Sequence, residues 1–242
     1  MIKIKDIERW YESSHYRNKS DWICIDQPKV IEEWKESQTI GQLVCAKDFQ
    51  KSDWMEDYPC LEVDHKWLSA LTSKPSHPGC MMLLKRPSYK IADLLIVKRV
   101  LLLDGIQDPG NLGTMIRSMV AFGVDTLCLT DRCADPFHPK SISASSGTIS
   151  QIKIFHESHW IDWIEKAKLP VLVLDPLAPL PINEIKISNK FILVCGSEGR
   201  GIQSKLVTSR SITPVSIPIS SKVESLNAAM SVSIALNRLI FQ

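Results

Sequence analysis

From Arg99 to the C-terminus, short apolar runs alternate with longer amphipathic segments, and this alternation constrains the fold more than any other feature of the chain. Val100–Leu103, Thr126–Leu129, Ile152–Phe155, Val171–Leu174 and Phe191–Cys195 read as strands, with Ser211–Ile217 as a last one. Leu112–Phe122, His159–Ala167 and Asn227–Phe241 read as helices. A strand, helix, strand order predicts a parallel sheet covered on both faces. The first part, to residue 86, reads as a small α/β unit. Its helices are Ile2–Tyr11, Pro28–Glu36 with Pro near its start, and one capped by Asp64 running through Leu71. Its strands are Trp22–Ile25, Gln42–Ala46, Leu61–Val63 and Cys80–Leu84. A polar, proline-containing stretch, Lys85–Lys90, opens a linker. The expected division is a domain over 1–86, a linker over 87–98 and a domain over 99–242.

The bulk composition excludes little. The 242 residues are 44% hydrophobic and 23% charged, as in ordinary globular proteins. The net charge of +2 does not by itself point to nucleic acid. Residues 1–95 carry 14 basic and 15 acidic side chains and residues 96–242 carry 15 and 12, so any basic surface must come from local clustering. No stretch is apolar for long enough to span a membrane, and MIKIKDIERW lacks a signal-peptide core. Seven scattered cysteines, several inside apolar runs such as Cys128 and Cys195, suit free buried thiols in a reducing compartment, which predicts the cytoplasm.

Three segments place glycine, or a Ser/Asn pair, where an apolar run ends, which is where ligands bind in α/β folds. In Asp108-Pro-Gly-Asn-Leu-Gly-Thr-Met-Ile-Arg117, Pro109-Gly110 makes a turn, Asn111 is placed to cap the next helix, and Arg117 lies two turns into it. Alone this reads better as a capped helix with a solvated arginine than as a ligand site. In Leu193-Val-Cys-Gly-Ser-Glu-Gly-Arg-Gly201, three glycines in six residues let the backbone approach a flat ligand, and Glu198 is fixed in the loop. Neither a Walker loop nor a complete G-x-G-x-x-G is present. In Ile217-Pro-Ile-Ser-Ser-Lys-Val-Glu-Ser-Leu-Asn-Ala228, Ser225 reads either as a helix cap or, with Asn227, as a ligand-facing group. Leu226, Met230 and Ile234 share one apolar face of the last helix.

Taken together, DGIQDPGNLGTMIRSMVAFGVD, FILVCGSEGRGI and SIPISSKVESLNAAMSVSIAL resemble the SpoU/TrmH family of RNA ribose 2′-O-methyltransferases, in the SPOUT superfamily. The resemblance covers the whole chain and is strongest from residue 99. The N-terminal unit is more weakly similar to that family's L30e-like substrate-binding domain. There His15-Tyr-Arg-Asn-Lys19 stands where basic RNA-contacting residues occur, which marks Arg17 and Lys19. The resemblance implies an α/β fold whose C-terminal parallel-sheet SPOUT domain forms a deep trefoil knot, an exception to the rule against knots. It implies a homodimer, S-adenosyl-L-methionine as cofactor, and RNA as partner, with rRNA favoured over tRNA. Cys195, Gly196, Gly199, Ile217, Leu226 and Asn227 would hold the cofactor. Asn111, Arg117, Glu198, Ser225 and Asn227 would form the catalytic set, with Arg117 also touching RNA. The chain departs from the family pattern at Ser197, where Asn is frequent, at Ser143, where Arg is frequent, and at Cys24-Ile-Asp-Gln27.

The reaction implied is an in-line methyl transfer from a sulfonium to a ribose oxygen. Arg117 is the family's candidate base, but a guanidinium with a pKa above ~12 grips a phosphate more readily than it accepts a proton. Ser225, Asn227 or a water would then relay the proton. Three rivals stand beside this reading. One is an RNA-binding protein that keeps the fold without the reaction. Another is a dehydrogenase, against which the missing dinucleotide fingerprint counts. The last is a zinc module from Cys60, His65, His77 and Cys80, whose spacing matches no common pattern, so no metal is expected.

Overall fold

A computed structural model describes residues 2–35, 40–90, 93–94, 96–157, 160–197, 202 and 212–241. The chain forms two compact units. One comprises Met1–Pro87 with Asp135–Ser150, the other Ser88–Ala134 with Gln151–Gln242. The segment 135–150, which the sequence reading assigned with the C-terminal domain, thus packs with the N-terminal residues. Its anchor is an ion pair: Arg17 Nε donates to Asp135 Oδ2 at 2.7 Å, with both side chains almost wholly buried.

The N-terminal unit is built on a four-stranded mixed sheet of β1 (Trp22–Ile25), β2 (Ile40–Ala46), β3 (Cys60–Val63) and β4 (Cys80–Lys85). The order is β1-β4-β2-β3, parallel only between β2 and β3. Its helices are α1 (Ile4–Glu12), α2 (Ser14–Lys19), α3 (Pro28–Trp34), α4 (His65–Thr72) and α6 (Pro139–Ser145). Side chains alternate across a strand, so Cys24, Val44, Ala46, Met81 and Leu83 meet Ile7 of α1 and Leu68 of α4 in one apolar cluster. Asp64 caps α4 as its position predicted, accepting from the Lys66 N–H at 2.8 Å. The helices α2 and α6 are not expected from the sequence because SHYRNK and PKSISAS carry too few apolar side chains to show a period.

The second unit holds six parallel strands: β5 (Arg99–Asp104), β6 (Thr126–Leu129), β7 (Lys153–His156), β8 (Val171–Leu174), β9 (Phe191–Gly196) and β10 (Ile212–Val215). Their order is β10-β8-β9-β5-β6-β7. Val100, Leu102, Cys128, Val171, Ile192 and Val194 face α7 (Trp160–Ala167), where Trp160, Trp163 and Ile164 close the core. Truncating such a residue, Leu102→Ala for example, costs about 2–5 kcal/mol. The helices α5 (Pro109–Ala121) and α8 (Ala228–Ile240) pack against each other. α8 also contacts β9.

The buried face of α8 is Ala228, Ala229, Val232, Ala235, Leu236 and Leu239, not the row expected from the sequence. Met230 and Ile234 are 58% and 36% exposed. This helix carries two apolar faces, and periodicity alone does not say which one meets the sheet.

All seven cysteines are free thiols. Burial pushes Cys24 up to about 12 and raises Cys128, so both stay protonated at neutral pH. Among the described residues no three His, Cys, Asp or Glu side chains group to hold a metal, and no helix is long and apolar enough to cross a membrane.

Candidate functional site

Parallel strands end on one side of a sheet, so the loops after them converge. A cavity of about 150 Å³ opens in the second unit, where the carboxyl ends of the neighbouring strands β8, β9 and β10 meet the chain entering α8. Leu174 and Asp175 come from the end of β8, Cys195, Gly196 and Ser197 from the end of β9, and Val215 and Ile217 from the end of β10. Ile219, Ser225, Leu226, Ala228 and Ser231 close it. Its walls are apolar side chains and its polar groups are few, the character of a site for a flat, partly polar small molecule.

Of the residues expected to hold a cofactor, Cys195, Gly196, Ile217 and Leu226 line this one cavity. Ser225, expected in the catalytic set, lines it too. Glu198 and Gly199 lie outside the described residues. Asn227 is not among the lining residues, although its neighbours Leu226 and Ala228 are. Asp175 and Ser197 escaped the sequence reading. The signal was present for Asp175, since Asp-Pro directly follows the apolar run Val171–Leu174.

Beside the cavity, α5 and α8 begin close together. Two corrections concern how they begin. Asp108, not Asn111, caps α5: its Oδ1 accepts from the Asn111 N–H at 2.8 Å, and Pro109 occupies the first turn, where a missing N–H costs nothing. Asn227, not Ser225, caps α8, its Oδ1 accepting from the N–H groups of Ala229 and Met230 at 2.9 and 3.4 Å. Capping by Asp108 leaves the Asn111 side chain for a different partner. Asn227 Nδ2 donates to Asn111 Oδ1 at 3.1 Å, tying the two helix starts together. A second tie, Ser118 to Ser233 at 2.6 Å between the hydroxyl oxygens, holds the helices further along. Arg117, next to Ser118, is exposed on α5.

Behind α5 the loop is fixed by a buried carboxylate. Asp104 at the end of β5 is fully buried. Its Oδ1 accepts from Thr130 Oγ1 at 3.1 Å and from Arg132 Nη2 at 3.0 Å. The Thr130 oxygen also accepts from the Gly105 N–H at 3.2 Å. The turn leading to Asp108 is thereby held in place, and with it the helix that carries Asn111 and Arg117.

The two RNA-contact residues expected on α2 part company. Arg17 is 3% exposed; besides Asp135 it donates to the carbonyls of Trp10 and Tyr11 at 2.7 and 3.0 Å. Its guanidinium is spent on the fold, because a buried charge is tolerated only when paired and hydrogen-bonded, and it is therefore no RNA contact. Lys19 is exposed.

Comparison with known proteins agrees with this architecture. Residues 98–237 match the model of the SpoU rRNA Methylase family. The 23S rRNA (guanosine(2553)-2′-O)-methyltransferase RlmP of Bacillus subtilis is 28% identical over 241 residues, with 98% of this chain and 95% of that protein covered. The SpoU methyltransferase AviRb of Streptomyces viridochromogenes, solved in complex with AdoMet, has the same fold at 19% identity. The TM-score is 0.86, with 98% of this chain and 96% of that one covered. An AdoMet-bound rRNA methyltransferase from Sinorhizobium meliloti also shares the fold at 22% identity and a TM-score of 0.85, covering 97% and 92%. With more than half of its length under the family model and the cavity at the ends of β8, β9 and β10, this chain belongs to the SpoU rRNA methylase family.

Proposed function

We propose that this protein transfers the methyl group of S-adenosyl-L-methionine to a ribose 2′-hydroxyl of structured RNA, ribosomal rather than transfer RNA. The observation that carries the reading is the cavity at the carboxyl ends of β8–β10, beside the paired starts of α5 and α8. Its residues suit the cofactor. Val215, Ile217, Leu226 and Ala228 offer apolar walls for an adenine ring, the backbone at Gly196 offers polar edges, and Asp175 offers a carboxylate for hydroxyls or an ammonium. The bound cofactor supplies an electrophilic sulfonium methyl. Two relatives solved with AdoMet, and a full-length relative named as a 23S rRNA 2′-O-methyltransferase, support both cofactor and substrate class.

The chain's own task is then to bring a ribose oxygen into line. Arg117 grips an RNA phosphate, a role its guanidinium performs without losing a proton. Asn111 and Asn227, joined at 3.1 Å, fix the wall against which the nucleotide rests. Ser225, an exposed hydroxyl on the cavity wall, orients the 2′-hydroxyl or relays its proton to solvent water. Glu198 completes the catalytic set, and Gly199 belongs to the cofactor-binding set; both lie outside the described residues. Positioning of this kind supplies roughly 7–11 kcal/mol of a barrier.

The finer architecture follows the same reading. The C-terminal domain is a trefoil-knotted SPOUT domain, supported by β9 lying between β5 and β8. The N-terminal unit is an L30e-like RNA-binding domain, supported by its mixed four-stranded sheet. The protein acts as a homodimer in the cytoplasm. The exposed apolar row of Met230, Ile234 and Phe241 on and beside α8 supports the dimer, and seven free cysteines support the compartment.

The test is transfer from radiolabelled S-adenosylmethionine to ribosomal and transfer RNA pools, with Asn111→Ala and Arg117→Ala beside the wild type. Alkali-stable label in ribosomal RNA, lost in both variants, is expected. Label confined to transfer RNA overturns the substrate class, and no transfer to either pool overturns the reaction.

A further inference from the structure

With Arg17 turned inward, the face that α2 shows to solvent is a different one. Successive helical residues are about 100° apart, so anchoring Arg17 against Asp135, the Trp10 carbonyl and the Tyr11 carbonyl turns its neighbours Tyr16 and Asn18 outward. Tyr16 is 48% exposed, large for an aromatic ring in a folded unit. The ring is not loose. The Arg9 guanidinium lies over it, 5.7 Å from Cζ to the centroid. The His15 ring meets it edge-on, with centroids 5.4 Å apart and planes at 83°. Lys19 and Asn18 are exposed at the same end of the helix. Over residues 9–19 the acidic side chain is Glu12, against the cations Arg9 and Lys19 once Arg17 is neutralised by Asp135.

An exposed aromatic ring held in place by its neighbours, with cations around it and donors beside it, has the chemistry of a stacking platform for an unpaired base. The ring's π-face is indifferent to base identity, and the cations meet the flanking phosphates. A protein partner would call for a broader apolar surface; here the surroundings are charged. We propose that Tyr16, seated by Arg9 and His15, stacks an unpaired nucleobase of the RNA substrate, with Arg9 and Lys19 meeting the adjoining phosphates. The proposal rests on the reading of this chain as an RNA-modifying enzyme and adds the element that engages single-stranded RNA.

The experiment is retention of deproteinised ribosomal RNA by the full-length protein across a series of potassium chloride concentrations, with methyl transfer to the same RNA followed in parallel. Tyr16→Ala is expected to weaken binding between about 5-fold and about 100-fold at every salt concentration, leaving the salt slope unchanged. Tyr16→Phe keeps the ring and stays within about twofold, while Tyr16→Leu falls with Tyr16→Ala. Lys19→Ala lowers the salt slope instead, because it removes a phosphate contact. Calorimetric binding of S-adenosylmethionine is unchanged in all of these variants, which shows that the second unit is intact. If Tyr16→Ala binds and methylates the RNA as well as wild type does, or if Tyr16→Leu restores binding, the platform is overturned and the enzymatic reading stands. A wild-type protein that neither binds nor methylates RNA overturns both.

Discussion

Asn227→Ala and Asn227→Asp remove different parts of one side chain's work. In the wild type, Oδ1 caps α8 through Ala229 and Met230, and Nδ2 reaches Asn111 on α5. Alanine loses both. Loss of an asparagine cap costs about 1 kcal/mol, and an exposed side-chain hydrogen bond adds roughly 0.5 kcal/mol. The total of ~1.5 kcal/mol corresponds to a fall of about 3–6 °C in the transition that unfolds the second unit, since each kcal/mol is worth about 2–4 °C at this chain length. Aspartate keeps the cap and gains slightly from the helix dipole. It has no N–H to give, however, and sets a carboxylate against the Asn111 carbonyl oxygen. Asn227→Asp should therefore melt within about 2 °C of wild type and still lose about 10-fold or more in methyl transfer, the effect of ~1.4 kcal/mol of misalignment. Thermal melts paired with radiolabelled transfer read both quantities on one preparation. Wild-type turnover in Asn227→Asp would refute the role given to the Asn227–Asn111 contact, and an unshifted melt in Asn227→Ala would refute the cap.

Other consequences are equally direct. Arg17→Ala leaves the buried Asp135 carboxylate with the Phe137 N–H at 3.0 Å and Arg86 at 3.5 Å but without its closest cation, and should cost about 3–5 kcal/mol by denaturant unfolding, whereas Lys19→Ala should stay within about 0.5 kcal/mol of wild type. Gly123 follows α5 with φ +68°, so Gly123→Ala should cost about 1–2 kcal/mol in the same assay. His77 is buried, and burial depresses its proton affinity; its Nδ1 accepts from the Gly79 N–H at 3.0 Å, which only an unprotonated nitrogen can do. Its Nε2 has no partner among the described residues. The unfolded histidine binds a proton below about pH 6.5 while the folded one resists, so the N-terminal unit should lose stability as pH falls below that value. Melts of His77→Gln should show a weaker dependence between pH 7 and 5.

The alternation of strands and helices from Arg99 onward is legible in the chain, because parallel strands and their covering helices must bury apolar runs of characteristic length and period. Glycines and proline break the chain where strands end, and among the residues there Cys195, Gly196, Ile217 and Leu226 line one cavity. Tertiary structure decided what a local pattern leaves ambiguous. Whether Asp108 or Asn111 caps α5 depends on where the helix starts, at Pro109, which puts Asn111 inside it; the Asn111 side chain meets Asn227 instead, 116 residues away. The inward face of α8 depends on which of two apolar rows meets β9 and α5. A basic run such as His15–Lys19 reads as a nucleic-acid surface until Asp135, 118 residues on, takes Arg17 out of water and leaves Tyr16 outside. Charge and aromatic character are written in the chain, but which of these groups meets solvent is fixed by contacts between residues far apart in it.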